Sequence, residues 1–199
     1  MNKQIALYGG TFSPPHLGHA SVIEALLRLF PCDEVWVMPS ADRHDKTVTA
    51  SGEHRVKMLE IMIAELFLKP KMPILISDFE LRLSKPTVTY ETLKLLKEKY
   101  PNHDFHFVIG LENLGVIETR WINGKKLFRE ADFIAIKNPL VPLPNKLPPH
   151  ITIIDDVAWS DISSTFVRKL LAQGYSGLPY LTKGVAEYIA ESKISFESE

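Results

Sequence analysis

At 199 residues the chain has the length of one ordinary domain, and two full domains would be cramped. Hydrophobic residues at 45% and charged residues at 24% match globular averages, which excludes a disordered tail, a collagen-like repeat and a coiled coil. A formal net charge of -1 offers no bulk attraction for nucleic acid or anionic lipid, and the lone Cys32 can form neither an internal disulfide nor a cysteine metal site, which suits a reducing cytosol.

The elements alternate along the chain. Gln4 to Tyr8 is a short apolar run that Gly9-Gly10 ends, as expected of a buried strand entering a sharp turn. It is too short for a signal-peptide core, and no later stretch approaches the roughly 20 apolar residues that cross a bilayer. A cytoplasmic protein with no membrane or nucleic-acid partner is therefore expected. His19 to Phe30 has helical spacing through Val22, Ile23, Leu26, Leu27 and Phe30, and Pro31 stops it. Glu34 to Met38 is a β-branched and aromatic strand that Pro39 breaks. Gly52 to Leu68 reads as a helix, Ile74 to Ser77 as a strand, and Thr89 to Tyr100 as a helix beginning at a capping-type threonine. Asp104 to Ile109 is a strand ending at Gly110, followed by short helices over Asn113 to Glu118 and Gly124 to Glu130. Strands at Asp132 to Ile136 and Ile151 to Ile154 precede helices at Ser163 to Gln173 and Thr182 to Ser192. The prolines between Pro139 and Pro149 mark an extended loop.

This order predicts an α/β fold with a mainly parallel, doubly wound, Rossmann-like sheet, helices on both faces and a small C-terminal helical extension. A single domain spans 1–199, with a core over about 1–160 and a helical part over about 161–193. In such sheets ligands bind beyond the carboxyl ends of the strands.

The most informative of those ends reads Gly9-Gly10-Thr11-Phe12-Ser13-Pro14-Pro15-His16-Leu17-Gly18-His19. Two glycines permit a tight turn and close approach of a ligand to the backbone. The helix start that follows favours phosphate through its free N–H groups and dipole. His16 and His19, three apart, can present their rings on one side, and Gly18 leaves room between them. A solitary histidine here would ordinarily be a cap or a surface residue, but the whole combination is much narrower. The segment has neither the G-x-G-x-x-G loop nor the P-loop lysine. Near the other end, Ile162-Ser163-Ser164-Thr165-Phe166-Val167-Arg168 sets hydroxyls and an arginine at a helix start, where phosphate oxygens can be held. Read alone, it is a capped helix with a solvent-facing arginine.

The first segment resembles the signature of the nucleotidyltransferases with the histidine-x-glycine-histidine motif, and most of all that of the bacterial nicotinate-nucleotide adenylyltransferases. The second resembles the same family's Ile-Ser-Ser-Thr-x-(Ile/Val)-Arg. The resemblance implies transfer of AMP from ATP to a pyridine mononucleotide, nicotinate mononucleotide foremost, with release of pyrophosphate, as in NAD biosynthesis. It implies Mg²⁺ carried mainly by the ATP phosphates, with no dedicated protein metal site. It places Gly9, Gly10, Thr11, Phe12, His16, Gly18, His19, Gly110, Glu112, Ile162, Ser163, Ser164, Thr165 and Arg168 at ATP, with His16, His19 and Thr11 acting in the transfer.

The middle of the chain narrows the subfamily. Asp78-Phe79-Glu80-Leu81 and Thr87-Val88-Thr89-Tyr90-Glu91-Thr92-Leu93 are similar to family segments, and they put Thr89 near the pyridine ring together with Trp121. Gly110-Leu111-Glu112-Asn113-Leu114 is similar to Gly-x-Asp-x-Leu, with Glu112 in place of aspartate. The clearest departure is Pro39-Ser40-Ala41-Asp42-Arg43-His44-Asp45-Lys46, where the family has Pro-Pro-His-Lys; Lys46, and after it Arg55, still align, and Lys46 is expected at the acceptor. Departures at Val88, Glu91 and Glu112 are also expected around the acceptor. Two alternatives stay open: a relative using phosphopantetheine or a polyol phosphate, and a degenerate nucleotide sensor. Class I aminoacyl-tRNA synthetases share a similar turn but are much larger. No residue dictates the oligomeric state, so a homo-oligomer is compatible with the sequence.

Overall fold

The computed structural model describes residues 1–41, 50–143 and 147–196. Six strands form one sheet: β1 (Lys3–Gly10), β2 (Glu34–Pro39), β3 (Ile74–Ile76), β4 (His103–Gly110), β5 (Asp132–Ile136) and β6 (Ile151–Ile154). Their order is β3-β2-β1-β4-β5-β6, and every pairing is parallel. Between them run α1 (Leu17–Leu29), α2 (Gly52–Leu66), α3 (Thr89–Lys99), the single turns α4 (Leu111–Leu114) and α5 (Ile117–Arg120), and α6 (Gly124–Glu130). Helices α7 (Ser164–Ala172) and α8 (Lys183–Glu191) follow the last strand. The α/β, doubly wound architecture read from the sequence is the one observed.

Period-two alternation along the strands divides the core into two layers. Ala6, Val35, Val37, Val108 and Ile134 face α1, α2, α7 and α8, where Leu26, Met58, Leu59, Val167 and Val185 close the layer. Ile5, Leu7, Trp36, Met38, Phe107 and Phe133 face α3 to α6, against Leu96, Leu111, Leu114, Ile117 and Leu127. Both faces of the sheet are therefore covered. Leu26 is fully buried, so its truncation to alanine should cost about 2–5 kcal/mol.

Three local expectations shift. Helix α1 begins at Leu17 rather than His19, because His16 in an extended conformation serves as N-cap. Val88, not Thr89, is the N-cap of α3; Thr89 is already helical, and the nearby Thr87 hydroxyl lies 2.8 Å from that of Thr92. The helix expected over Asn113 to Glu118 is two single turns, α4 and α5. Leu111, Leu114 and Ile117 are buried, and this spacing of three is served by two short turns laid on the sheet.

Chain order reverses direction across the sheet between β1 and β4. At such a point a crevice opens beyond the strand ends, and here it opens at the Gly9-Gly10 and Gly110 ends.

Candidate active site

The turn after β1 is held by packing. A Cβ on Gly10 would lie 2.9 Å from the Phe12 ring, so glycine lets that ring fold back over the turn. Phe12 has a φ of 51°, uncommon for a bulky residue. Its surroundings hold it there: it is 1% exposed, edge-on to Tyr8 at 5.5 Å and to His19 at 4.8 Å. Phe12, expected at ATP, is thus a buried prop that lines neither of the cavities described below.

His16 and His19 stand together as the spacing implies, their ring centroids 3.7 Å apart. The His16 backbone N–H donates to His19 Nδ1 at 3.1 Å. Nδ1 of His19 is therefore an acceptor, and in the neutral ring the proton resides on Nε2. Burial keeps both rings neutral. It lowers the His16 pKa to about 4, and it takes that of His19 well below the ordinary histidine value, with the neighbouring His16 adding to the effect. A neutral imidazole keeps one N–H to offer a phosphate oxygen, and no buried cation has to be sustained.

The second motif is brought against this turn. Ser164 Oγ donates to the Pro14 carbonyl at 2.9 Å, and Arg168 Nη1 donates to the Ser13 carbonyl at 3.1 Å. Arg168 Nη2 also reaches Thr165 Oγ1 at 3.1 Å. Ser163 caps α7 by accepting from the Phe166 N–H, and Ile162 packs at the margin of the core. Segments far apart in the chain thus share one locus.

Two cavities flank it. The smaller, about 230 Å³, lies over the ends of β1, β4 and β5 and is lined by Tyr8, Gly18, Gly110, Glu112, Trp159 and Ser160, among others. A Cβ on Gly110 would collide with the Glu112 carboxylate, which folds back over that glycine. The larger, about 530 Å³, includes Gly9, Gly10 and Thr11 together with Glu80, Thr89, Arg120 and Trp121. Thr89 and Trp121, both expected at the acceptor, therefore share one cavity. Gly9, Gly10 and Thr11, expected at ATP, line it too, whereas His16, His19 and the second motif from Ile162 to Arg168 line neither cavity. Lys46 lies outside the described residues.

Three side chains here were not singled out as site residues by the sequence. Arg55 is fully buried and donates to the carbonyls of Ala50 (3.2 Å), Thr11 (3.1 Å) and Ser40 (2.7 Å), tying the first turn to the end of β2. Glu80 is buried; it accepts from the Ala41 N–H and from the Thr92 hydroxyl, bracing the floor of the larger cavity. Arg120 is exposed and lines the same cavity. The position of Arg120 beside Trp121 was the only signal available for it. Among the described residues no three His, Cys, Asp or Glu side chains are grouped to hold a metal ion, and no helix is long and apolar enough to cross a membrane.

A cleft at the β1/β4 reversal, with paired histidines after a turn to which a hydroxyl-rich helix start is hydrogen-bonded, is the arrangement of a nucleotidyltransferase. The profile of the family described as Cytidylyltransferase-like matches residues 7–170, and the chain belongs to that family. Its relatives there include an Enterococcus faecalis protein named "Probable nicotinate-nucleotide adenylyltransferase", 33% identical over 191 residues that span 95% of this chain and 83% of that one. A Bacillus licheniformis protein of the same name is 28% identical over 194 residues, covering 96% of this chain and 98% of its own. Among solved structures, the Plasmodium falciparum nicotinic acid mononucleotide adenylyltransferase complexed with NaAD superposes with a TM-score of 0.84 at 30% identity, over 99% of this chain and 100% of that one. A structure of the same parasite enzyme complexed with APC gives a TM-score of 0.82.

Proposed function

We propose that this nucleotidyltransferase moves the AMP unit of ATP onto nicotinate mononucleotide and releases pyrophosphate, forming a dinucleotide on the route to NAD. The observation that carries this reading is the turn after β1 with the start of α1, in which the two neutral histidines stack at 3.7 Å and whose neighbouring residues line both cavities: Gly10 and Thr11 the larger, with Thr89 and Trp121, and Gly18 the smaller, with Gly110. The smaller suits the adenosine part of ATP, with the Glu112 carboxylate accepting from ribose hydroxyls. The larger suits the pyridine mononucleotide, with Trp121 against the ring and the Thr89 hydroxyl nearby.

An oxygen of the acceptor phosphate attacks the α-phosphorus. The new P–O bond forms as the bond from the α-phosphorus to the α,β-bridging oxygen breaks, and pyrophosphate takes the electron pair. The attacking oxygen is already anionic at neutral pH, so no general base is needed. Catalysis is then positioning and charge stabilisation. His16 and His19 donate to α- and β-phosphate oxygens. The Gly9-Gly10-Thr11 backbone approaches the α-phosphate. Ser163, Ser164, Thr165 and Arg168 hold the outer phosphates, with Arg168 and Ser164 giving up contacts to the first turn as they do so. Magnesium enters as the ATP complex, carried by phosphate oxygens. In this reading the enzyme works in the cytoplasm, and its core and C-terminal helices act as one unit, since α7 is tied to Ser13 and Pro14.

The test is a release assay for pyrophosphate with ATP, Mg²⁺ and, in turn, nicotinate mononucleotide, nicotinamide mononucleotide and phosphopantetheine. Turnover is expected to be fastest with the first. Release with phosphopantetheine alone would replace the acceptor, and no release with either pyridine mononucleotide would overturn the reading.

A further inference from the structure

Where the chain leaves β2, one peptide unit is held at both of its polar groups. The Ser40 carbonyl accepts from Arg55 Nη1 at 2.7 Å, and the Ala41 N–H donates to Glu80 Oε2 at 3.2 Å. Both side chains are buried. A cation thus stands at the negative end of this peptide dipole and a carboxylate at its positive end. The preceding Ser40 N–H, by contrast, has an ordinary backbone partner, the Gly10 carbonyl at 2.8 Å.

Each arm of this clamp reaches further. Arg55 Nη1 also donates to the Thr11 carbonyl at 3.1 Å, in the turn after β1. Glu80 Oε1 accepts from the Thr92 hydroxyl at 2.7 Å, and the Thr92 oxygen lies 2.8 Å from that of Thr87. The one Thr92 hydroxyl hydrogen is directed at Glu80, so Thr87 donates to Thr92. A continuous run of hydrogen bonds therefore leads from Thr87 through Thr92, Glu80, the Ser40–Ala41 peptide and Arg55 to Thr11. Thr11, Ser40, Glu80 and Thr87 line the larger cavity, whereas Arg55 and Thr92 do not.

We propose that Arg55 and Glu80 are positioning residues: by clamping the Ser40–Ala41 peptide they set the spacing between the start of α3 and the turn after β1, across which the acceptor is aligned for attack. In-line transfer tolerates a displacement of about 1 Å poorly, and burying charged groups yields one fixed arrangement more than it yields stability. The kinetic consequence rests on the reading of the larger cavity as the acceptor's, whereas the clamp does not. Glutamine can replace Glu80 without breaking the run. Its oxygen accepts from the Ala41 N–H, its amide donates to Thr92, and Thr92 turns its hydrogen towards Thr87. Alanine leaves the Ala41 N–H without that partner.

Two readouts on the full chain separate the clamp from its use. Amide hydrogen exchange followed by NMR reads the Ala41 N–H directly. It should be protected in the wild type and in Glu80→Gln, and should exchange about tenfold faster or more in Glu80→Ala. Steady-state kinetics should show KM for nicotinate mononucleotide raised about tenfold in Glu80→Ala with KM for ATP within about twofold of wild type, and Glu80→Gln should restore it. Thr92→Val removes the link between Thr87 and Glu80 from outside the cavity; acceptor KM should rise about threefold, and this variant decides the matter should Glu80→Ala fail to fold. An Ala41 amide that exchanges alike in wild type and Glu80→Ala overturns the clamp. Unchanged acceptor KM in Glu80→Ala or Thr92→Val, or KM rising equally for both substrates, overturns the positioning role. Should the wild type turn over a different acceptor, the proposed function fails and KM for that acceptor is read instead; should none turn over, the exchange data alone decide the clamp.

Discussion

The two cavities beside the Gly9–Thr11 turn have different kinds of wall. The smaller joins the ends of β1, β4 and β5 and the start of α1, with glycines at 18 and 110, to the segment Val157–Ser160 that follows β6. The larger is made mostly of attached pieces: the start of α3, the single turn α5, Trp121, and Ser40 just after β2. Sheet ends are fixed by ladders on both sides, while attached turns can change without disturbing the core. Departures from the resembled family segments occur at both: Val88 lines the larger cavity, and Glu112, in place of aspartate, lines the smaller. In the proposed reading the transfer chemistry rests on the turn after β1, and the acceptor is met mostly by attached pieces.

The largest expected effect falls in the turn after β1. His19→Ala or His16→Ala should lower kcat by about 10²–10³, the usual cost of removing one donor to developing charge. Both acceptor and ATP KM should change far less. Near-normal turnover in either variant would remove that histidine from the site and leave the two cavities without a common reaction centre.

The same histidines should limit acid stability. His16 has a folded pKa near 4 against an ordinary value of 6.5, and that of His19 is lowered in the same sense. Below pH 6.5 the unfolded chain takes up protons that the folded chain refuses. Their contribution is therefore fully present above pH 6.5 and is lost as pH falls towards 4. Each ring adds at most about 1.4 kcal/mol per pH step in that window, and His16 alone amounts to roughly 3 kcal/mol. Urea unfolding at pH 7.5 and 5 checks this: the midpoint should drop at the lower pH, and His16→Gln should show a smaller drop. A pH-independent difference between wild type and variant would mean that the ring is hydrated and titrates normally.

Arg120 sharpens the contrast from the acceptor side. It lines the larger cavity beside Trp121, and a nicotinate ring differs from a nicotinamide ring by one full negative charge. Arg120→Gln should reduce the preference for the acid over the amide by about three- to tenfold, the scale of an exposed ionic contact, and leave KM for ATP unchanged. An unchanged acid-to-amide ratio in kcat/KM would assign the choice of acceptor to other groups.

Much of this was legible in sequence because it is chain-local. Gly9-Gly10, the spacing of His16 and His19, and the hydroxyls before Arg168 each describe a strand end or a helix start by themselves. Apolar strand runs in turn with helices likewise reported a sheet covered on both faces. What escaped depends on tertiary partners. Arg55 occupies a helix whose pattern reads as amphipathic, and nothing nearby in sequence announces that its guanidinium is buried against Thr11 and Ser40. Phe12 belongs to the signature, yet packing turns its ring inward. Thr89 looked like a cap because threonine favours that position, but the chain turns into α3 one residue earlier, at Val88.

The smallest effect tests the ATP side alone. The Glu112 carboxylate lies over Gly110, and one of its oxygens already accepts from Asn113 Nδ2 at 3.0 Å. The other oxygen is left for a ribose hydroxyl, in the place where relatives have aspartate. Glu112→Gln keeps the shape and removes the charge, so KM for ATP should rise by about threefold with kcat and acceptor KM unchanged, in keeping with one solvent-exposed hydrogen bond. Steady-state kinetics with each substrate varied in turn reads all three values. If acceptor KM rises and ATP KM does not, the carboxylate serves the other cavity, and the division between a wall fixed by the sheet for ATP and an attached wall for the acceptor fails at this residue.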